Sequence, residues 1–181
     1  MTVVAFAGRR VDAASAQTPR FPVTSIDSVA ARIRDALRTL NASVLVASAA
    51  AGADLLALRE AGALGLRRRV VLPVAPDQFV ADSVADRPGE WAPLFERIIA
   101  DAKRSGDLVV LSAGGGYVGY AAVTDAIITE TRAIADAMTL DTAALVVWDG
   151  RSRGDDDLTD VFRHQATASG LVVHEIDTLR Q

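Results

Sequence analysis

The residues best placed to do chemistry in this chain form a turn of small side chains, Ser48-Ala49-Ala50-Ala51-Gly52-Ala53-Asp54. The β-branched apolar run Val44-Leu45-Val46 enters the turn, and an apolar helical pattern beginning Leu55-Leu56 leaves it. A strand, a tight turn and a helix N-terminus make a concave site for an anion. Small residues let a ligand approach the backbone, and the first helical turn carries N–H groups without intrahelical partners. A second group, Gly8-Arg9-Arg10, follows the apolar run Val3–Ala7. Guanidinium beside glycine suits a phosphate, which it grips with two parallel hydrogen bonds. Asp54 has two readings: it holds a ribose hydroxyl, or it is an acid in a first helical turn, favoured there by the helix dipole.

Those residues need strands and helices to bring them together, and the pattern supplies both. Apolar runs at Val3–Ala7, Ser43–Ala47, Val70–Val74, Asp107–Leu111, Ala143–Trp148 and Leu171–Ile176 read as six strands. Between them lie helical patterns. One starts near Thr24-Ser25-Ile26-Asp27 and ends at Asn41; others cover Ala53–Leu64, Val80–Ala85, Trp91–Arg104, Val118–Met138 and Asp156–Ser169. Val11–Pro22 reads as a long surface loop, a kind that in compact domains is usually functional or mobile. This alternation predicts one α/β domain over residues 1–181. It is a three-layer, Rossmann-like, mostly parallel sheet of about six strands, with helices on both faces. Ligands of such sheets sit at the carboxyl ends of the strands. That rule gathers Gly8, Arg9 and Arg10; Ser48, Ala49, Gly52, Ala53 and Asp54; Pro76 and Phe79; Gly114 to Tyr117; and Asp149 with Gly150 and the loop to Asp156.

Composition excludes several classes. There is no cysteine, so disulfides, thiolate zinc sites and cysteine nucleophiles are ruled out. Two histidines, His164 and His174, are too few for a histidine-rich metal centre, and surface or structural roles are expected for them. Net charge is −4, which leaves no overall basic footprint for nucleic acid. No apolar run reaches membrane-spanning length and the N-terminus has no basic signal-peptide region, so the expected location is cytoplasmic, as a whole protein or a domain of a longer one. Gly-x-Gly-x-x-Gly does not follow the first strand, and no Walker A motif is present.

Four segments in order resemble a family. Gly8-Arg9-Arg10 is similar to the Gly-His-Arg of SLOG domains, the Rossmann-like superfamily that includes Lonely Guy phosphoribohydrolases and DprA-type proteins. Ser48–Asp54 resembles their second glycine-rich loop, Pro73–Phe79 their Leu-Pro-x-x-x-x-x-Phe segment, and Ala144–Gly150 their Ala-Val-Trp-Asp-Gly strand end. The nearest likeness is to SLOG-like domains that accompany tetratricopeptide repeats or cyclase domains in bacterial signalling proteins. Arg20-Phe21-Pro22 and Trp91 through Arg97 have counterparts there. The resemblance implies a pocket for a nucleotide or nucleotide-derived ligand. Arg9 stands where the family carries histidine. The phosphoribohydrolase signature Pro-Gly-Gly-x-Gly-Thr is replaced by Gly154-Asp155-Asp156-Asp157, whose adjacent carboxylates repel phosphate.

The leading expectation is a ligand-sensing domain of a bacterial signalling or defence system, with no cofactor, that passes its signal to a fused or separate partner. The alternative is a hydrolase of the N-glycosidic bond of a nucleoside monophosphate, with Asp54, Asp149 or Glu130 as the carboxylate; a third is an interaction module with a degenerate pocket. Tyr117 and Tyr120 either stack on a base or pack at a helix start. Asp155–Asp157 reads as a helix N-cap with solvated neighbours rather than a Mg²⁺ site. Arg67–Arg69 reads as a solvated turn away from the site. The broad apolar surface of Val118–Met138 predicts homodimerisation through that helix.

Overall fold

The computed structural model describes residues 1–111 and 117–180, and the side chains of Tyr117 and Val118 are not among those described. The expected glycine loop at Gly114–Gly116 and the stacking role of Tyr117 lie outside the described residues. The strands are β1 (Thr2–Gly8), β2 (Ala42–Ala47), β3 (Arg67–Leu72), β4 (Leu108–Val110), β5 (Asp141–Trp148) and β6 (Val172–Asp177). The helices are α1 (Ile26–Thr39), α2 (Ala53–Ala63), α3 (Pro76–Ser83), α4 (Trp91–Ser105), α5 (Tyr117–Met138) and α6 (Leu158–Ala168). The six strands form one sheet in the order β4-β3-β2-β1-β5-β6, and every described pairing is parallel. This is the α/β Rossmann-like architecture that the alternation predicts.

Period-two alternation divides the core. Val4 and Phe6 of β1 face α1, α2 and α4, whereas Val3 and Ala5 face α5 and α6. On the first face α2 is flanked by α1 and α4, and Leu55, Leu56 and Leu58 are all fully buried. On the second face α5 returns from β4 at one edge to β5 beyond β1. Four strand spacings are about 19 Å, and 22 residues of helix reach about 33 Å. That return accounts for its length, and for its contacts with β1, β2, β3 and β5. Its side chains Val123, Ile127, Ile128 and Ile134 are buried against the sheet, whereas Met138 at its end is exposed. Thr129, Arg132, Ala133, Asp136 and Ala137 face outward.

Two boundaries differ from the sequence reading by three residues or more. β3 begins at Arg67, three residues before the apolar run, so the three arginines are a strand and not a turn. Arg67 pairs with Asp107, Arg68 with Asp101 and Arg69 with Glu130, so acids on neighbouring elements hold them in the sheet register. α3 begins at Pro76, four residues before the expected start at Val80, where only a loop is expected. Proline suits a first helical position because the N–H it lacks has no partner there.

β1 and β5 are neighbours, but the chain leaves β1 toward β2 on one side and β5 toward β6 on the other. Their carboxyl ends are therefore the topological switch point, where such sheets open a crevice. Close approach there needs Gly8: a Cβ on it would lie 2.4 Å from the Cβ of Ala53 and 3.0 Å from the carbonyl oxygen of Val147. Gly8→Ala is expected to destabilise the fold by about 1–3 kcal/mol through overpacking. Adding Ala53→Gly should restore part of that loss in urea unfolding, and simple additivity of the two changes would contradict the contact.

Candidate functional site

A cleft of about 750 Å³ opens at this switch point. Gly8, Arg9, Arg10, Ser48, Asp54 and Phe79 line it. The loop that follows β1 closes one side, with Asp12, Ala13, Ala16, Thr18 and Arg20 on the wall. This loop is held by the Asp12 carboxylate, which accepts from the N–H groups of Arg20 and Phe21, and by the fully buried Phe21 ring. The remaining expected residues do not line the cleft. Ala49, Gly52 and Ala53 are buried beneath it, Pro76 lies outside at the start of α3, Asp149 stands behind Arg9, and Gly150 is exposed just after β5.

The turn before α2 differs from its expected form. Gly52 caps the helix with a φ of 120°, a conformation suited to glycine. A Cβ there would lie 2.4 Å from the Val11 nitrogen. The segment Arg9–Val11 crosses directly over the turn and takes its hydrogen bonds. Ala53 N–H donates to the carbonyl of Arg9, and Val11 N–H donates to that of Ala51. Ala51 N–H donates to Ser83, Ala50 N–H to the Asp54 carboxylate, and Leu55 N–H to Ala50. The expected cradle of free N–H groups is largely closed from inside.

Arg9 is also engaged within the chain. Its Nε donates to Asp149 Oδ1 at 2.9 Å, its Nη1 to Asp157 Oδ1 at 2.5 Å, and its Nη2 to the Arg151 carbonyl at 2.7 Å. Residues Arg9 and Asp157 are buried, and the Trp148 ring packs 5.7 Å from the guanidinium. Burial alone disfavours the charge on Arg9, but hydrogen bonds and attraction from Asp157 and Asp149 hold its pKa above the ordinary arginine value. Burial likewise disfavours an ionised Asp157, and Arg9 and the Arg153 N–H override it, bringing its pKa down to about 2. Asp157 is the N-cap of α6, accepting from the N–H groups of Thr159 and Asp160. Thus the last carboxylate of the acidic triplet both caps a helix and neutralises Arg9. Arg20 adds a bond to Asp149 at 3.0 Å.

Arg10 points elsewhere and meets two residues that sequence reasoning missed. Its Nη2 donates to Asp86 Oδ1, while Arg87 donates to Asp86 Oδ2 at 3.0 Å. Arg10 and Arg87 both line the cleft. Arg87-Pro88-Gly89 reads in sequence as a break between helices, and no spacing links it or Asp86 to Arg10. Tyr120 lines the cleft as well: its hydroxyl is 2.6 Å from that of Ser83, and its ring lies 6.2 Å from Phe79. It therefore packs and presents itself to the cleft at once. Glu130 is not at the site, being bonded to Arg69 at 2.8 Å. His164 and His174 are exposed on α6 and the edge strand β6.

Asp54 is 7% exposed at the floor of the cleft. Desolvation pushes its pKa up to about 7, against the opposing hydrogen bonds from the Ala50 and Gly8 N–H groups and the charge of Arg10. A carboxyl that titrates near neutrality in a cleft can exchange a proton with a ligand.

No protein-family model matches the chain, and no curated protein matches it. Among solved structures, DNA processing protein A (DprA) from Streptococcus pneumoniae is similar over 96% of this chain and 58% of its own, with 15% identity and a TM-score of 0.44. The S. aureus MnaA–UDP co-structure is similar over 97% of this chain and 68% of its own, with 8% identity and a TM-score of 0.38. The chain spans a little over half the length of the pneumococcal protein. What its own sheet and cleft define is an α/β protein of Rossmann-like fold with a polar crevice at its switch point. No described helix is long and apolar enough to cross a membrane.

Two outcomes follow for stability. In the native state Asp54 keeps its proton up to about pH 7, whereas the unfolded chain releases it near the ordinary 3.8. Stability should therefore fall as pH rises through that window, by at most about 4 kcal/mol. Asp54→Asn should flatten the profile and raise the thermal midpoint at pH 8 but not at pH 4. Asp157→Asn keeps a capping oxygen and removes the charge opposite Arg9, which should cost about 3 kcal/mol at pH 7. Because the Asp157 pKa is depressed, this gap should close as pH falls from about 4 toward 2 in acid-titrated urea unfolding.

Proposed function

We propose that this chain is a SLOG-like binding domain whose switch-point cleft takes a nucleotide-derived small molecule and signals its presence to a partner domain or protein. The observation that carries the reading is the composition of the cleft wall. Arginine side chains, the Tyr120–Phe79 aromatic pair and the Asp54 carboxyl converge on one space of about 750 Å³. That volume is in the range of small-molecule sites. Cationic groups suit a phosphate, an aromatic face suits a base, and a carboxyl suits a sugar hydroxyl. The order of the four SLOG-like segments supports the same reading. Homodimerisation through α5 is a separate proposal: Val123, Ile127, Ile128 and Ile134 pack against the chain's own sheet, and Met138 at the end of the helix is exposed.

Hydrolysis of an N-glycosidic bond has one observation in its favour, the near-neutral Asp54 carboxyl in the cleft. A single panel separates the two. The protein is incubated with nucleoside monophosphates, cyclic nucleotides and NAD-derived nucleotides, and both the thermal midpoint and release of free base are measured. Binding at a hundredfold excess over Kd stabilises by about 2.7 kcal/mol, a shift of about 5 °C or more. A shift without base release is the expected result. Base release that Asp54→Asn abolishes would establish the hydrolase instead. No shift across the panel would refute the binding reading.

A further inference from the structure

We propose that the Asp86 carboxylate holds the place of an anionic ligand group between Arg10 and Arg87, and that a phosphate or diphosphate entering the cleft displaces it. The inference rests on the cleft being a ligand site and adds which atoms take the anion and what leaves.

The argument starts from hydrogen-bond supply. A guanidinium offers its Nε and Nη hydrogens along an edge that matches two oxygens of one oxyanion. Arg10 and Arg87 each use a single Nη toward Asp86, one on each carboxylate oxygen. Their Nε atoms are both shut away from water and meet no acceptor. Such unpaired buried donors are rare in folded proteins, and two on adjacent side chains facing one cleft are a specific vacancy in bonding. A carboxylate has two oxygens and is divided between two arginines. A phosphate has enough oxygens to meet both arginine edges.

Charge points the same way. Two guanidiniums share the one Asp86 carboxylate. Burial and the neighbouring Arg87 both lower the pKa of Arg10, and Asp86 compensates only in part. An anion with more than one negative charge relieves that repulsion better than Asp86 does. The contrast with Arg9 is informative. Each of its three guanidinium nitrogens is bonded, to Asp149, Asp157 and the Arg151 carbonyl, and its Nε already has an acceptor.

Displacement is also sterically cheap. The Asp86 side chain is 43% exposed and sits in the connection between α3 and α4, so it can swing into water. An ion pair this exposed is worth little, about 1 kcal/mol or a fewfold in affinity. The end of α3, from which the connection leaves, meets the turn before α2, since the Ser83 carbonyl accepts from the Ala51 N–H. Releasing Asp86 thus acts next to the floor of the cleft.

The test uses the whole chain with inorganic pyrophosphate as probe, by isothermal titration calorimetry at fixed salt. Saturable binding is expected, weakened about tenfold or more in Arg10→Gln and in Arg87→Gln. Asp86→Asn should bind pyrophosphate about three- to tenfold more tightly, because the competing carboxylate is gone. Glu90→Gln makes the same charge change in the same connection and should alter binding less than about twofold. Unfolding curves confirm that each variant is folded. Unchanged or weaker binding in Asp86→Asn, or an equal gain in Glu90→Gln, would overturn the proposal, as would no saturable binding to wild type. The two readings fail separately. A thermal shift with an uncharged nucleoside but no pyrophosphate binding keeps the cleft and removes the arginine seat. Pyrophosphate binding with no response to any nucleotide keeps the seat and removes the nucleotide reading.

Discussion

The buried guanidinium of Arg9 ties together the parts of the molecule that meet at the switch point. It leaves the end of β1, bonds Asp149 at the end of β5, and bonds Asp157 at the start of α6. Removing these charges from water is costly, and attraction between them offsets that cost only when every hydrogen-bonding group is used. Here all three guanidinium nitrogens have partners, Asp157 also satisfies the helix terminus, and Trp148 covers the group from the side. A different seating of β5 or α6 would strand at least one buried charge. We interpret the cluster as a device for uniqueness of packing more than for net stability.

This arrangement shapes the chemistry of the cleft. With Arg9 neutralised by its own carboxylates and the α6 terminus capped by Asp157, neither presents a free anion site. The crossing of Arg9–Val11 over Gly52 closes most of the turn before α2 in the same way. Polar capacity remains in side chains on the outer wall: Arg10 and Arg87, Tyr120 with Ser83, and Asp54 below them. The backbone groups that usually hold phosphate in such folds are here largely engaged within the chain. The acidic replacement of the glycine signature takes on a different meaning too. Asp157 does not repel a ligand at the site, because its charge is already matched by Arg9.

How much of this was legible varies with the range of the interaction. The alternation of apolar runs and helical patterns, read from local spacing, gives six strands, helices on both faces and the strand-end rule. Glycines at residues 8 and 52 mark a close approach, and both occur where a Cβ would clash. Local reading erred where long-range pairing decides. The arginines of β3 look like a turn until Asp107, Asp101 and Glu130 are brought beside them. Pro76 looks like loop because the helix that follows is short. The length of the α5 pattern has a cause that only the strand order shows, the return from β4 at one edge to β5.

The sequence by itself determined the fold class, because hydrophobic periodicity and small-residue turns are local properties that any α/β chain must satisfy. It also determined which loops converge, because parallel strands place their carboxyl ends on one side. Only the tertiary structure decided what each charged residue does there. Arg9 and Arg10 are adjacent and chemically identical in sequence, yet one faces Asp149 and Asp157 while the other faces Asp86 and Arg87. The function of a charge depends on its partners, and these lie about 75 to 150 residues away, as do Asp86 from Arg10 and Asp157 from Arg9. No local pattern encodes that distance.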